Sequence, residues 1–86
     1  MEQKLKLTIA GKDFTFNLTT EDYNDFINAL DGNNKIEAAH NFLVRVIDKA
    51  QKDDLLKILD SPGAPVQIMT IITREFVPDL NIQVGK

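Results

Sequence analysis

Near the start of the chain, apolar and polar residues alternate one for one. Leu5, Leu7 and Ile9 alternate with Lys4, Lys6 and Thr8, and Phe14, Phe16 and Leu18 alternate with Thr15 and Asn17. A period of two puts each apolar set on one face of a strand. Ala10-Gly11-Lys12-Asp13 lies between the two runs. A two-residue Gly11-Lys12 turn of type II′, with glycine in the first central position, joins them as a hairpin. That register sets Ile9 against Phe14, Leu7 against Phe16 and Leu5 against Leu18, all six on one side.

The period then becomes helical. Thr19 or Thr20 caps a helix whose first turn carries Glu21 and Asp22, where negative charge is favourable. Tyr23, Phe26, Ile27 and Leu30 form its narrow apolar stripe. Asp31-Gly32-Asn33-Asn34 ends it, and Asn33 or Asn34 caps the next helix. That second helix runs from about Lys35 to Ile47. Its apolar positions Ile36, Phe42, Leu43, Val44, Val46 and Ile47 sweep roughly 200°, wider than a surface helix needs. A third helix spans about Lys52 to Asp60. Ser61-Pro62-Gly63-Ala64-Pro65 breaks the pattern and opens a fourth, which runs to about Val77. Val66, Met69, Ile72, Phe76 and Val77 make its main stripe, with Ile68 and Ile71 off to another side. After Pro78-Asp79, Leu80, Ile82 and Val84 alternate with Asn81 and Gln83, the pattern of a last strand, placed beside the first. The predicted fold is α+β: an N-terminal hairpin, four helices, and a C-terminal strand completing a three-stranded sheet packed on one side by helices. Residues 1–86 form a single domain on this reading.

Composition narrows the chemistry. Of 86 residues, 43% are hydrophobic, enough to build a core. There is no Cys, which excludes disulfides, thiolate metal sites and Cys nucleophiles. His40 is the one His and Ser61 the one Ser, and Ser61 stands outside any nucleophile-elbow pattern. The net charge of −3, with lysines spread singly among acids, opposes nucleic-acid binding. The N-terminus lacks the apolar run of a signal peptide, and no apolar stretch approaches the roughly 20 residues of a membrane span. Neither nucleic acid nor membrane is therefore expected as a partner.

Chemical motifs reduce to structural ones. Asp31-Gly32-Asn33-Asn34 begins like a calcium loop, but Lys35, Ile36 and Phe42 occupy its fifth, sixth and twelfth positions, where Asp or Asn, Gly and Glu are needed. Glu21-Asp22 and Asp53-Asp54 are neighbours along helices, so each pair diverges. A lone His40 on an apolar arc reads as a hydrogen-bonded core residue. No catalytic, metal-binding or cofactor-binding set assembles, and the chain is read as non-enzymatic. What stands out is the apolar surplus of Phe42, Val44, Ile68 and Ile71. Either a layer of helices buries them all, or they form a patch for a partner helix or for self-association.

Four stretches together resemble the small tail assembly chaperones of tailed phages and prophages. Leu7-Thr8-Ile9-Ala10-Gly11-Lys12-Asp13-Phe14-Thr15-Phe16-Asn17 resembles the opening hairpin, and Thr19-Thr20-Glu21-Asp22-Tyr23-Asn24 the entry to the first helix. Asn33, Asn34 and Lys35 with His40, Asn41, Phe42, Leu43 and Arg45 resemble the central block. Pro62-Gly63-Ala64, Glu75-Phe76 and Pro78-Asp79-Leu80 with Ile82 and Val84 resemble the closing segment. The resemblance implies an assembly factor of the host cytoplasm, absent from the finished particle. It would bind the tape-measure protein and hold it soluble until tail-tube subunits polymerise around it. The tail-tube protein is a second expected partner, and no catalytic or cofactor residue carries over. The alternatives are a minor structural tail component, which would stay in the particle, and a small host-interaction or regulatory binding protein. If Phe42, Val44, Ile68 and Ile71 form the partner surface, Ile68→Asp and Ile71→Asp weaken binding with little loss of fold. A large fall in melting temperature would assign them to the core instead.

Overall fold

A computed structural model of the chain describes residues 1–32 and 34–85. The two alternating runs form β1 (Glu2–Ile9) and β2 (Lys12–Thr19), paired antiparallel. Their turn is centred on Ala10 and Gly11, with φ of 53° and 81°. Two successive positive φ values make a type I′ turn, whose twist matches that of the strands it joins. The turn therefore sits one residue earlier than the expected Gly11-Lys12 pair. Leu7 faces Phe14, Leu5 faces Phe16 and Gln3 faces Leu18. This pairing differs from the expected one by two residues. It keeps every apolar side chain on the same face, so the hydrophobic pattern alone cannot separate the two registers.

Four helices follow: α1 (Thr20–Asn28), α2 (Lys35–Val46), α3 (Lys52–Leu59) and α4 (Ala64–Phe76), with a 3₁₀ turn over Lys49–Gln51 before α3. The side chain of Thr19 caps α1 by accepting the Asp22 N–H at 3.0 Å. Asn34 takes the cap position of α2 without a side-chain bond, while Asn33 lies outside the described residues. Helical cover falls mainly on β2. Phe14, Phe16 and Leu18 are buried against Leu43, Val46, Leu55 and Ile72, whereas Leu5, Leu7 and Ile9 of β1 are half-buried at the margin. Among the described residues no polar or charged residue is buried, so the core is held by apolar area.

The third strand expected over Leu80, Ile82 and Val84 is not formed. The sheet has two strands, and these three residues are 71%, 84% and 98% exposed. Asn81 breaks the extended run with φ of 48°, and its N–H bonds the Asp79 carboxylate at 2.9 Å. Alternation identified residues fit for a strand; it could not supply a neighbour for them.

The outer edge of β2 is closed by other means. Phe16 makes an isolated bridge to Ile47, and the Asp48 N–H donates to the Thr15 carbonyl at 3.0 Å. The Thr15 N–H donates to Gln51 Oε1 at 2.7 Å, and Gln51 Nε2 donates to the Asp13 carbonyl at 3.2 Å. One side-chain amide thus donates and accepts as a peptide group of a third strand would. Gln51→Met keeps the length of the side chain and removes both bonds. It is expected to cost about 1–2 kcal/mol and to lower the melting temperature by several degrees, read by thermal circular dichroism.

Candidate functional site

The meeting of α1, α2 and α4 is an aromatic cluster built on Tyr23. Its ring centroid lies 5.9 Å from that of Phe26, 6.0 Å from Phe76 and 6.3 Å from Phe42, the last nearly edge-on at 89°. Phe26 and Phe42 are 5.5 Å apart. Offset and edge-on geometries of this kind are the favourable ones for aromatic pairs. The Tyr23 hydroxyl reaches Thr73 Oγ1 on α4 at 3.1 Å. Arg45 of α2 stands 3.7 Å from the Asp22 carboxylate and 3.6 Å from that of Asp25, both on α1. These ion pairs are exposed and contribute at most about 1 kcal/mol each; their effect is to orient α1.

Beside this cluster runs an open groove with a volume of about 280 Å³. Phe26 and Leu30 form one wall, and Val66, Met69, Thr70 and Thr73 of α4 the other, with Ala39 of α2 between them. The α4 wall follows from its spacing: positions i, i+3, i+4 and i+7 share one helical face. Lys35 is the one charged residue of the lining. The groove offers an apolar trough with hydroxyls along one wall and a cation, which suits an amphipathic helix better than a small polar substrate. Among the described residues no group of three or more His, Asp or Glu is placed to hold a metal ion, and no helix is long and apolar enough to cross a membrane.

The residues proposed from sequence are distributed as follows. Phe42 and Ile68 are buried. Val44 and Ile71 are half-buried but border different hollows, Val44 with Asn17, Arg45 and Lys49, and Ile71 with Leu7, Ile9 and Gln67. Within the family-like block, Asn34 caps α2, Lys35 lines the groove, Leu43 is buried, Asn41 is exposed and Arg45 bridges to α1. His40 is half-buried, beside a shallow hollow shared with Ile36, Leu59 and Pro65. Sequence reading had Val66 and Met69 in the apolar stripe of α4 but passed over Thr70 and Thr73. The signal was the i, i+4, i+7 spacing from Val66, which becomes visible when threonine methyls are counted as apolar.

A family model described as phage tail assembly chaperone matches residues 5–86. The chain is 30% identical over 84 residues to an uncharacterized 11.3 kDa protein in the lys 3′ region of Haemophilus phage HP1, strain HP1c1. The match covers 98% of this chain and 82% of the phage protein. The chain belongs to the phage tail assembly chaperone family. No solved structure matches it.

Proposed function

We propose that this protein binds an apolar helical segment of the tape-measure protein in the α1–α2–α4 groove and keeps that protein soluble until tail-tube subunits enclose it. The observation that carries the reading is the groove itself, an unfilled apolar trough between helices in a chain of the tail assembly chaperone family. A long helical protein exposes apolar stripes before it is packed. A binder that covers them lowers the concentration of the free, aggregation-prone form by mass action. Handover to the tube requires each contact to be modest and repeated along the client, so that polymerisation outcompetes it. Lys35 adds selectivity for a helix with an acidic residue flanking its apolar face. Phe42 supports the groove from within the core, packed on Phe26, whereas Val44, Ile68 and Ile71 border other hollows and take no part in it.

Co-expression with the tape-measure protein tests this. The soluble fraction of that protein should rise several-fold when the chain is present. Equal solubility with and without it would overturn the proposal. Val66→Asp and Thr70→Glu place charge in the trough at a half-buried and an exposed position. Each should weaken client binding at least tenfold, about 1.4 kcal/mol, in pull-down or calorimetric titration, while the melting temperature stays within a few degrees.

A further inference from the structure

The two edges of the sheet are not equivalent. The Thr20 N–H donates to the Met1 carbonyl at 3.1 Å, which makes Met1–Thr20 a hydrogen-bonded pair. In an antiparallel ladder such pairs alternate, so the odd residues of β1 bond to β2, and Lys4, Lys6 and Thr8 direct their N–H and C=O groups outward. The same alternation on β2 sends the backbone of Asp13 and Thr15 outward, and these are the groups that Gln51 and Asp48 satisfy. Among the described residues the β1 edge has no such cover. Along its inner side lies a hollow bordered by Leu7, Ile9, Ile68 and Ile71.

The same chain carries a segment with the complementary needs. Pro78–Gly85 has period-two apolar residues at Leu80, Ile82 and Val84, exposed and without a sheet partner. We infer that two copies exchange these segments, the tail of each adding as a strand to the β1 edge of the other, with its apolar side chains seated over the Ile68–Ile71 hollow. Charge selects this partner over a direct β1–β1 pairing. Two β1 edges meeting would bring Lys4 and Lys6 against their counterparts, and like charges across strands repel. The tail carries Asp79 and no Lys or Arg from Pro78 to Gly85. Length also fits once Asn81 gives up its positive φ on docking, since eight extended residues span about 27 Å, the length of eight-residue β1. A specific interface needs about 1,000 Å² of buried surface in total. Reciprocal exchange doubles the area and makes the second docking intramolecular.

Sedimentation velocity on the intact chain, from about 1 µM to about 1 mM, should show a reversible monomer–dimer equilibrium. Ile82→Asp alters an exposed side chain, and Lys6→Pro removes an outward N–H while sparing the bonds to β2. Each should weaken dimerisation at least tenfold without changing the circular dichroism spectrum. Amide hydrogens of Lys4, Lys6 and Thr8 should exchange more slowly as protein concentration rises. A chain that stays monomeric throughout, or a dimer that survives either substitution, overturns the inference. No client takes part, so the result is independent of the role proposed for the groove.

Discussion

Phe16→Ala is expected to bring the melting temperature down by tens of degrees. Phe16 is fully buried, faces Leu5 across the hairpin and bridges to Ile47 at the end of α2. It joins sheet to helices, and truncation leaves a cavity where both meet. Removing a buried phenylalanine costs about 3–5 kcal/mol. A chain of 86 residues is stable by roughly 4–13 kcal/mol in total, so the loss runs from about a quarter of the reserve to all of it. At about 4–8 °C per kcal/mol for a domain of this size, the melting temperature should fall by roughly 12–40 °C. Asn17→Ala, one residue along on the outer face, is the matched control and should change stability by no more than about 0.5 kcal/mol. Similar melting curves for the two variants would contradict the assigned face of β2.

The second large effect separates two isoleucines three positions apart on α4. Ile68 is 6% exposed and belongs to the core cluster, whereas Ile71 is half-buried at the edge of the hollow beside β1. Ile68→Asp puts a carboxylate among apolar side chains with no buried partner, at a cost of about 4 kcal/mol or more. Ile71→Asp lets the carboxylate reach water and should cost about 1 kcal/mol. Urea unfolding of both variants, with the slope compared to the parent chain, reads the difference directly. The sequence leaves two readings open for both positions, burial under the layer of helices or exposure on a partner patch, and either one leads to similar effects at the two. If both variants melt alike, the packing of α4 is not as described.

Why the two readings part is instructive. Helical periodicity gives the angle of a residue around its own axis but not how many neighbours surround that axis. Ile68 lies off the main stripe of α4, yet the margin of the hairpin covers that side as well. The wide arc of α2 was legible in part: Phe42, Leu43, Val46 and Ile47 are buried, whereas Val44 is half-buried and Ile36, at the start of the helix, is 57% exposed. The hairpin, the cap at Thr19 and the breaks at Gly32 and Gly63 could be read from local chemistry, because each depends on residues adjacent in the chain. The turn register and the last strand could not. A shift of two residues leaves the buried face intact, and alternation in Leu80, Ile82 and Val84 says nothing about a partner. The groove was legible only in part. Phe26, Leu30, Val66 and Met69 stood in apolar stripes, but Thr70 and Thr73 look polar by composition and fall outside them, although both line the trough. The resemblance in the Asn-Asn-Lys and His-Asn-Phe-Leu block pointed to the family correctly, although several residues of that block serve the interior: Phe42 and Leu43 are buried and Arg45 aligns α1.

The amide of Gln51, seated where a neighbouring strand would lie, has a consequence for aggregation. In the vocabulary of polymer chemistry, a ribbon with two reactive margins is a bifunctional monomer and can be stacked without limit into a fibril. Here one margin is blocked by an internal plug, so each ribbon keeps a single open margin and margin-to-margin stacking cannot propagate. A member of the tail assembly chaperone family thereby carries its own chain terminator.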